Sequence, residues 1–135
     1  MEISPELPEK FADLRVLIVD DEPLIRWSIS ETLEHIGYTV TEASDAKETL
    51  RRLSGGLVPD VILLDYRLPD SNDLKLLETI RRVAPDSPVI MMTAYGTPAV
   101  QAGALELGAY RVVSKPLEMA DLAPLVRQAY ESRPQ

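Results

Sequence analysis

Cysteine is absent from the chain, which excludes disulfides, thiolate metal sites and a cysteine nucleophile. Histidine occurs once, as His35, so no site built on several imidazoles can form. Positive charge is in deficit: 14 Lys and Arg stand against 22 Asp and Glu, giving a net charge of −8. That balance argues against direct nucleic-acid binding, which needs a basic stripe. No apolar run approaches the ~18 residues of a membrane span. Nor does an apolar core follow Met1, as a secretory signal requires. A cytoplasmic protein without membrane attachment is expected.

What is present suits one domain. The 135 residues are 45% hydrophobic and 27% charged, ordinary for a globular protein with one sizeable core. Residues 1–13 carry Pro5, Pro8 and four acidic residues and read as an N-terminal tail. Residues 14–131 read as the domain, and 132–135 as a C-terminal tail or the start of a linker.

The stretch Asp60 to Asp70 is Asp-Val-Ile-Leu-Leu-Asp-Tyr-Arg-Leu-Pro-Asp. Its unbroken apolar run fits a strand buried on both faces, as in a parallel sheet. Asp65 sits at the carboxyl end of that strand, where open parallel sheets bind ligands. Arg15 to Asp20 repeats the pattern and ends in Asp20-Asp21. Glu22-Pro23 then opens a helix, with Ile25, Ile29, Leu33 and Ile36 at helical spacing and Gly37 as its stop. Trp27 lies off that stripe. His35, in the last turn where a cation is favoured, reads as a solvated surface residue.

The alternation continues. Strand two is expected at Tyr38 to Thr41. A second helix is capped by Asp45 with Glu48, turns Ala46, Leu50 and Leu53 inward, and ends at Gly55-Gly56. A third helix is expected from Asp73 to Val83, with Leu76 or Leu77, Ile80 and Val83 inward. Strand four is Val89 to Thr93, and Thr97-Pro98 opens a small fourth helix. Strand five is Tyr110 to Ser114. A fifth helix covers Met119 to Glu131, with Leu122, Val126 and Ala129 inward. Pro124 implies that this helix starts later than Met119 or bends near Ala120.

Five strand–helix repeats predict an α/β fold: a doubly wound, five-stranded parallel sheet with five helices. The strand order 2-1-3-4-5 is taken from the flavodoxin-like class rather than dictated by the residues. In that order Asp20, Asp21 and Asp65 share one crevice, and Thr93 and Lys115 lie on the same edge. Two carboxylates 4 Å apart cost about 4 kcal/mol at an effective dielectric near 20. Such a cluster holds a proton or a cation. Oxygen-only ligands select a hard cation, Mg²⁺ with Mn²⁺ as the alternative. With a hydroxyl from Thr93 and an ammonium from Lys115, the set makes a phosphoryl-transfer site in which Asp65 can attack phosphorus.

Four stretches together resemble the receiver domain of bacterial two-component response regulators. They are Val-Leu-Ile-Val-Asp-Asp-Glu-Pro, Leu-Leu-Asp-Tyr-Arg-Leu-Pro-Asp, Met-Met-Thr-Ala-Tyr-Gly, and Gly-Ala-Tyr with Ser-Lys-Pro seven residues after that Gly. The third also resembles receivers attached to enhancer-binding transcriptional activators. The resemblance implies that Asp65 takes a phosphoryl group from the phosphohistidine of a sensor histidine kinase. It implies a metal site of Asp21, Asp65 and the backbone carbonyl of Arg67, with Asp20 acting mainly through water. Thr93, the Ala94 backbone and Lys115 would bind the phosphoryl group, and the Lys115-Pro116 peptide would be cis. Arg67 and Tyr95, both bulky, would slow hydrolysis of the acyl phosphate. Homodimerisation or partner docking would use helix four, strand five and helix five, with an output domain or target outside this chain.

Three departures from the family stand out. Val112 occupies the place, three residues before Lys115, where Tyr or Phe is usual. Asn72-Asp73 replaces the common Asp-Gly. Arg111 replaces a common acid after Gly-Ala-x. Two other readings fit parts of the set. One is a small Mg²⁺-dependent aspartyl phosphohydrolase, disfavoured because Tyr66 and Arg67 follow Asp65 where a second acid is wanted. The other is an unphosphorylated scaffold. The leading reading makes the chain no enzyme toward external substrates, only a catalyst of its own phosphorylation and dephosphorylation.

Overall fold

In the computed structural model, residues 14–94 and 96–133 are described. The expectations on residues 1–13, Tyr95, Pro134 and Gln135 lie outside them. Five strands alternate with five helices: β1 Arg15–Val19, α1 Pro23–His35, β2 Thr39–Ala43, α2 Ala46–Ser54, β3 Val61–Asp65, α3 Lys75–Val83, β4 Val89–Thr93, α4 Pro98–Glu106, β5 Arg111–Ser114 and α5 Met119–Glu131. All strand pairs are parallel, in the order β2-β1-β3-β4-β5. The expected flavodoxin-like fold and strand order are therefore correct. No helix among the described residues is long and apolar enough to cross a membrane.

The sheet separates two cores because strand side chains alternate faces. Val16, Ile18, Val61, Leu63, Ile90 and Met92 pack with Ile29 and Leu33 of α1 and with Leu122, Val126 and Ala129 of α5. Leu17, Val19, Ile62, Leu64, Val89 and Met91 pack with Leu76, Leu77 and Ile80 of α3 and Ala104 of α4. All five residues of β3 and all five of β4 are buried. That explains their unbroken apolar runs, since each fully buried Leu, Ile or Val contributes roughly 1.5–3 kcal/mol.

Helix boundaries follow local chemistry. Pro23 takes the first position of α1, and Gly37 supplies the left-handed turn after it at φ 101°. Asp45 caps α2 by accepting from Glu48 N–H at 2.7 Å. Glu48 reaches back to Ser44 N–H at 2.9 Å, one residue short of the cap itself. Thr97 caps α4 through Val100 N–H at 3.2 Å. Gly103 lies where α4 meets the start of α3: a Cβ there would stand 2.8 Å from Leu74 Cδ1.

Four local expectations need correction. β2 runs to Ala43 rather than Thr41. As an edge strand it exposes Glu42 and half-exposes Thr41, so its apolar signal is weak. α3 starts at Lys75, not Asp73; Asp73 instead accepts a hydrogen bond from Lys75 N–H at 2.9 Å. Val83 is 54% exposed, because the inward stripe of α3 ends with Ile80 and Val83 closes the helix. α5 does start at Met119, with Pro124 exposed in its second turn. Its first turn is tightened by Asp121 N–H donating to Glu118 O at 2.9 Å, a bond that spans three residues rather than four.

Candidate functional site

The site is built at the carboxyl edge of the sheet by strand register. Val19 lies opposite Leu64, so Asp20 is level with Asp65. Asp65 lies opposite Met92 and Thr93 opposite Ser114, which places Thr93 and Lys115 one step further along. By alternation, Asp20, Asp65 and Lys115 continue the rows facing α1 and α5, whereas Thr93 continues the row facing α3 and α4. Two cores thus send their last polar residues to one crevice.

Single oxygens of Asp20, Asp21 and Asp65 all lie within 4.8 Å of one another. Asp20 is fully buried, Asp65 is 6% exposed and Thr93 3% exposed; Asp21 is exposed. Lys115 Nζ stands 2.8 Å from Asp20 Oδ2, 3.0 Å from Asp65 Oδ2 and 3.4 Å from Glu22 Oε1. Asp65 Oδ1 accepts from Arg67 N–H at 3.2 Å, and Asp20 Oδ1 from Glu22 N–H at 2.9 Å. The Lys115-Pro116 peptide is cis. Ala94 is exposed, and so is Arg67. Val112 is half-buried against the core under α3 and α4.

Burial pushes the Asp65 carboxyl up, and the charge of Asp20 adds to it; the hydrogen bond from Lys115 opposes them without prevailing. Burial pulls the Lys115 ammonium down, but the hydrogen bonds it donates to Asp20 and Asp65, with their charge, outweigh it and hold the group above the usual lysine range. One ammonium faces three carboxylates, so the cluster keeps a negative balance. Asp20 Oδ2 is buried, and its partner among the described residues is the Lys115 ammonium at 2.8 Å. Carboxylates that outnumber the one ammonium beside them, in an oxygen-only set, fit a hard divalent cation.

Sequence reasoning missed three contributors. Glu22 adds a third carboxylate to Lys115. Asp70 caps α2 from another loop: its two oxygens accept from Ala46 N–H at 2.8 Å and Lys47 N–H at 3.1 Å. The bond from Ala46 does most to hold its carboxyl below the usual range; burial opposes it, and the bond from Lys47 adds to it. Leu68 and Ser71 exchange backbone hydrogen bonds across Pro69-Asp70, which aims that carboxylate. Arg26 donates to the Asp20 carbonyl at 2.7 Å. None of these pairings has a local sequence signal, because each joins polar residues from different elements or loops.

Two of the family departures acquire a physical account. No non-glycine residue among those described has positive φ, so Asn72-Asp73 needs none of glycine's freedom. The Arg111 guanidinium lies over the Tyr110 ring, 5.3 Å from its centroid, a cation–π contact.

Comparison with known proteins agrees with this architecture. The family model of the response regulator receiver domain matches residues 16–127. The response regulator protein PilR of Pseudomonas aeruginosa is 38% identical over 119 residues, covering 88% of this chain and 26% of PilR. The DNA-binding transcriptional regulator NtrC of Escherichia coli is 35% identical over 114 residues, covering 84% of this chain and 24% of NtrC. The chain therefore spans about a quarter of the length of these two relatives. A CheY-like receiver domain protein from Methanospirillum hungatei superposes with a TM-score of 0.83 at 31% identity, over 87% of this chain and 94% of that one.

Proposed function

The chain belongs to the receiver domain family of two-component response regulators, and we propose that Asp65 is its phosphoacceptor, loaded from the phosphohistidine of a sensor histidine kinase. The observation that carries this is the ammonium of Lys115 held 3.0 Å from Asp65 beside the Asp20–Asp21 pair. In the reaction an Asp65 carboxylate oxygen attacks phosphorus. An O–P bond forms, the histidine N–P bond breaks, and the imidazole leaves with the electron pair. Burial keeps the Asp65 carboxylate more basic than usual, which favours nucleophilic attack.

Asp20, Asp21, Asp65 and the Arg67 carbonyl would hold Mg²⁺, or Mn²⁺ in its place. When bound, the cation offsets the charge on the transferring oxygens. Thr93, the Ala94 N–H and Lys115 receive the phosphoryl group, so Lys115 exchanges a carboxylate partner for a phosphoryl oxygen. Beyond its own phosphorylation and dephosphorylation the domain turns over no substrate. The phosphohydrolase reading loses ground because Asp70, the next carboxylate on the loop after Asp65, is committed to the start of α2. Bulky Arg67 and Tyr95 slow loss of the phosphoryl group. With Val112 in the aromatic's place, the signal leaves through Thr93 and the α4–β5–α5 face, where a second copy or an output partner docks.

Intact mass after incubation with acetyl phosphate and Mg²⁺ tests the assignment. The expected gain is about 80 Da, one phosphoryl group, lost in Asp65→Asn. An unmodified chain that gains no mass overturns it.

A further inference from the structure

We propose that Arg26 is a positioning residue for the acidic site: clamped by Glu42, it fixes the peptide between Asp20 and Asp21 and so sets the affinity for a divalent cation. This rests on the reading of Asp20, Asp21 and Asp65 as the cation site. Arg26 leaves the first turn of α1, and its side chain is 19% exposed. Its Nη1 donates to the Asp20 carbonyl at 2.7 Å, while its Nε donates to Glu42 Oε1 at 2.9 Å. The other oxygen of Glu42 accepts from Ser30 Oγ at 3.0 Å, and Ser30 is 6% exposed. The guanidinium fork is therefore held at two points by groups that are themselves held, which is what pre-organises an arginine.

The bond to the carbonyl matters because of where that carbonyl sits. Asp20 N–H already donates to Ala43 O at 3.1 Å. Arg26 fixes the peptide on the other side of the same residue. Without it, the Asp20–Asp21 peptide can turn, and the exposed Asp21 carboxylate swings relative to the buried one. A cation that needs both oxygens then pays for ordering them. Glu42 and Ser30 act through Arg26; both belong to the α1–β2 side of the fold and neither is among the residues assigned to the cation.

The sign of one measurement separates positioning from simple charge. Removing a cation beside an acidic cluster should tighten cation binding through space, by up to a few-fold at low salt. Removing a positioning group should weaken it. Mg²⁺ binding is measured by calorimetry at a temperature where circular dichroism shows every variant folded. Arg26→Gln is expected to weaken Mg²⁺ by about 10-fold, the low end for groups that orient ligands, and Arg26→Lys to recover only part of the loss. Ser30→Ala changes no charge and is expected to weaken binding by less than the roughly 10-fold of Arg26→Gln, because it acts one step further out; it carries the test if Arg26→Gln does not fold. In the Arg26→Gln background Ser30→Ala adds nothing. Equal or tighter Mg²⁺ binding by folded Arg26→Gln, or unchanged binding by Ser30→Ala when only that variant folds, overturns the proposal. An unmodified chain that binds no Mg²⁺ overturns instead the assignment of the cation site.

Discussion

Replacing Lys115 by methionine removes the ammonium that faces Asp20 and Asp65 and keeps most of the side-chain volume. Both acids are nearly or fully buried, and the lysine side chain is 11% exposed, so this is a buried ion pair losing one partner. Breaking such a pair typically costs 3–5 kcal/mol, because a charge is left without compensation. A second route gives a similar ceiling. The protein can escape by protonating one carboxylate, which at pH 7 lies about three pKa units from home at about 1.4 kcal/mol each, or roughly 4 kcal/mol. Relief from burying the lysine itself brings the expected loss to about 3 kcal/mol. For a domain of this size that is a Tm drop of about 10 °C. The pH dependence has a definite sign. In the variant Asp65, already raised by burial, loses the opposing bond from Lys115, so its folded carboxyl stands further above the unfolded one; the penalty is absent below the unfolded carboxylate range and grows as pH rises from there to the folded value. Melts followed by circular dichroism at pH 7 and pH 5 should show the gap to the unmodified chain narrowing at pH 5. Mg²⁺ should narrow it too, by restoring positive charge. A loss under about 1 kcal/mol at pH 7 without divalent cations, or a gap that ignores pH, would refute the reasoning.

Asp65→Asn should melt higher than the unmodified chain when no divalent cation is present, by about 1 kcal/mol, the scale of one partly screened like-charge contact. The folded carboxyl is raised by burial first, so ionised Asp65 costs stability above the ordinary carboxylate range; the gain should vanish as pH falls below it, and a lower Tm at pH 7 would contradict this. Asp70→Ala should cost about 1 kcal/mol through loss of the α2 cap. Because the Asp70 carboxyl is lowered, chiefly by its bond from Ala46 N–H, its contribution is present above the unfolded carboxylate pKa and lost as pH falls through the folded one. Chemical denaturation at pH 7 and pH 3 checks both halves, and equal losses at the two pH values would exclude the capping role.

The parts of this molecule legible in one dimension are those where burial alone decides the outcome. β3 and β4 are covered on both faces, so an unbroken apolar run marks each end correctly, and the polar residue that ends the run is the one delivered to the crevice. β2 has a neighbour on one side only and admits Thr41 and Glu42, which blurs its boundary. Val83 follows the helical period yet faces outward, because a period says nothing about where the sheet beneath it stops. The site divides in the same way. Asp20, Asp65, Thr93 and Lys115 are strand ends, and register brings them together. Arg26 with Glu42, and Asp70 with the start of α2, are hydrogen bonds across 16 and 24 residues, and only the finished topology pairs them. The backbone groups they hold are the Asp20 carbonyl ahead of α1 on one side and the Ala46 and Lys47 amides that open α2 on the other. A chain with the same strand ends and without these two ties would carry the same functional motif on looser loops. Cation affinity is therefore a more discriminating measure of this domain than the presence of its acidic residues, since the motif supplies the ligands and the ties supply their order.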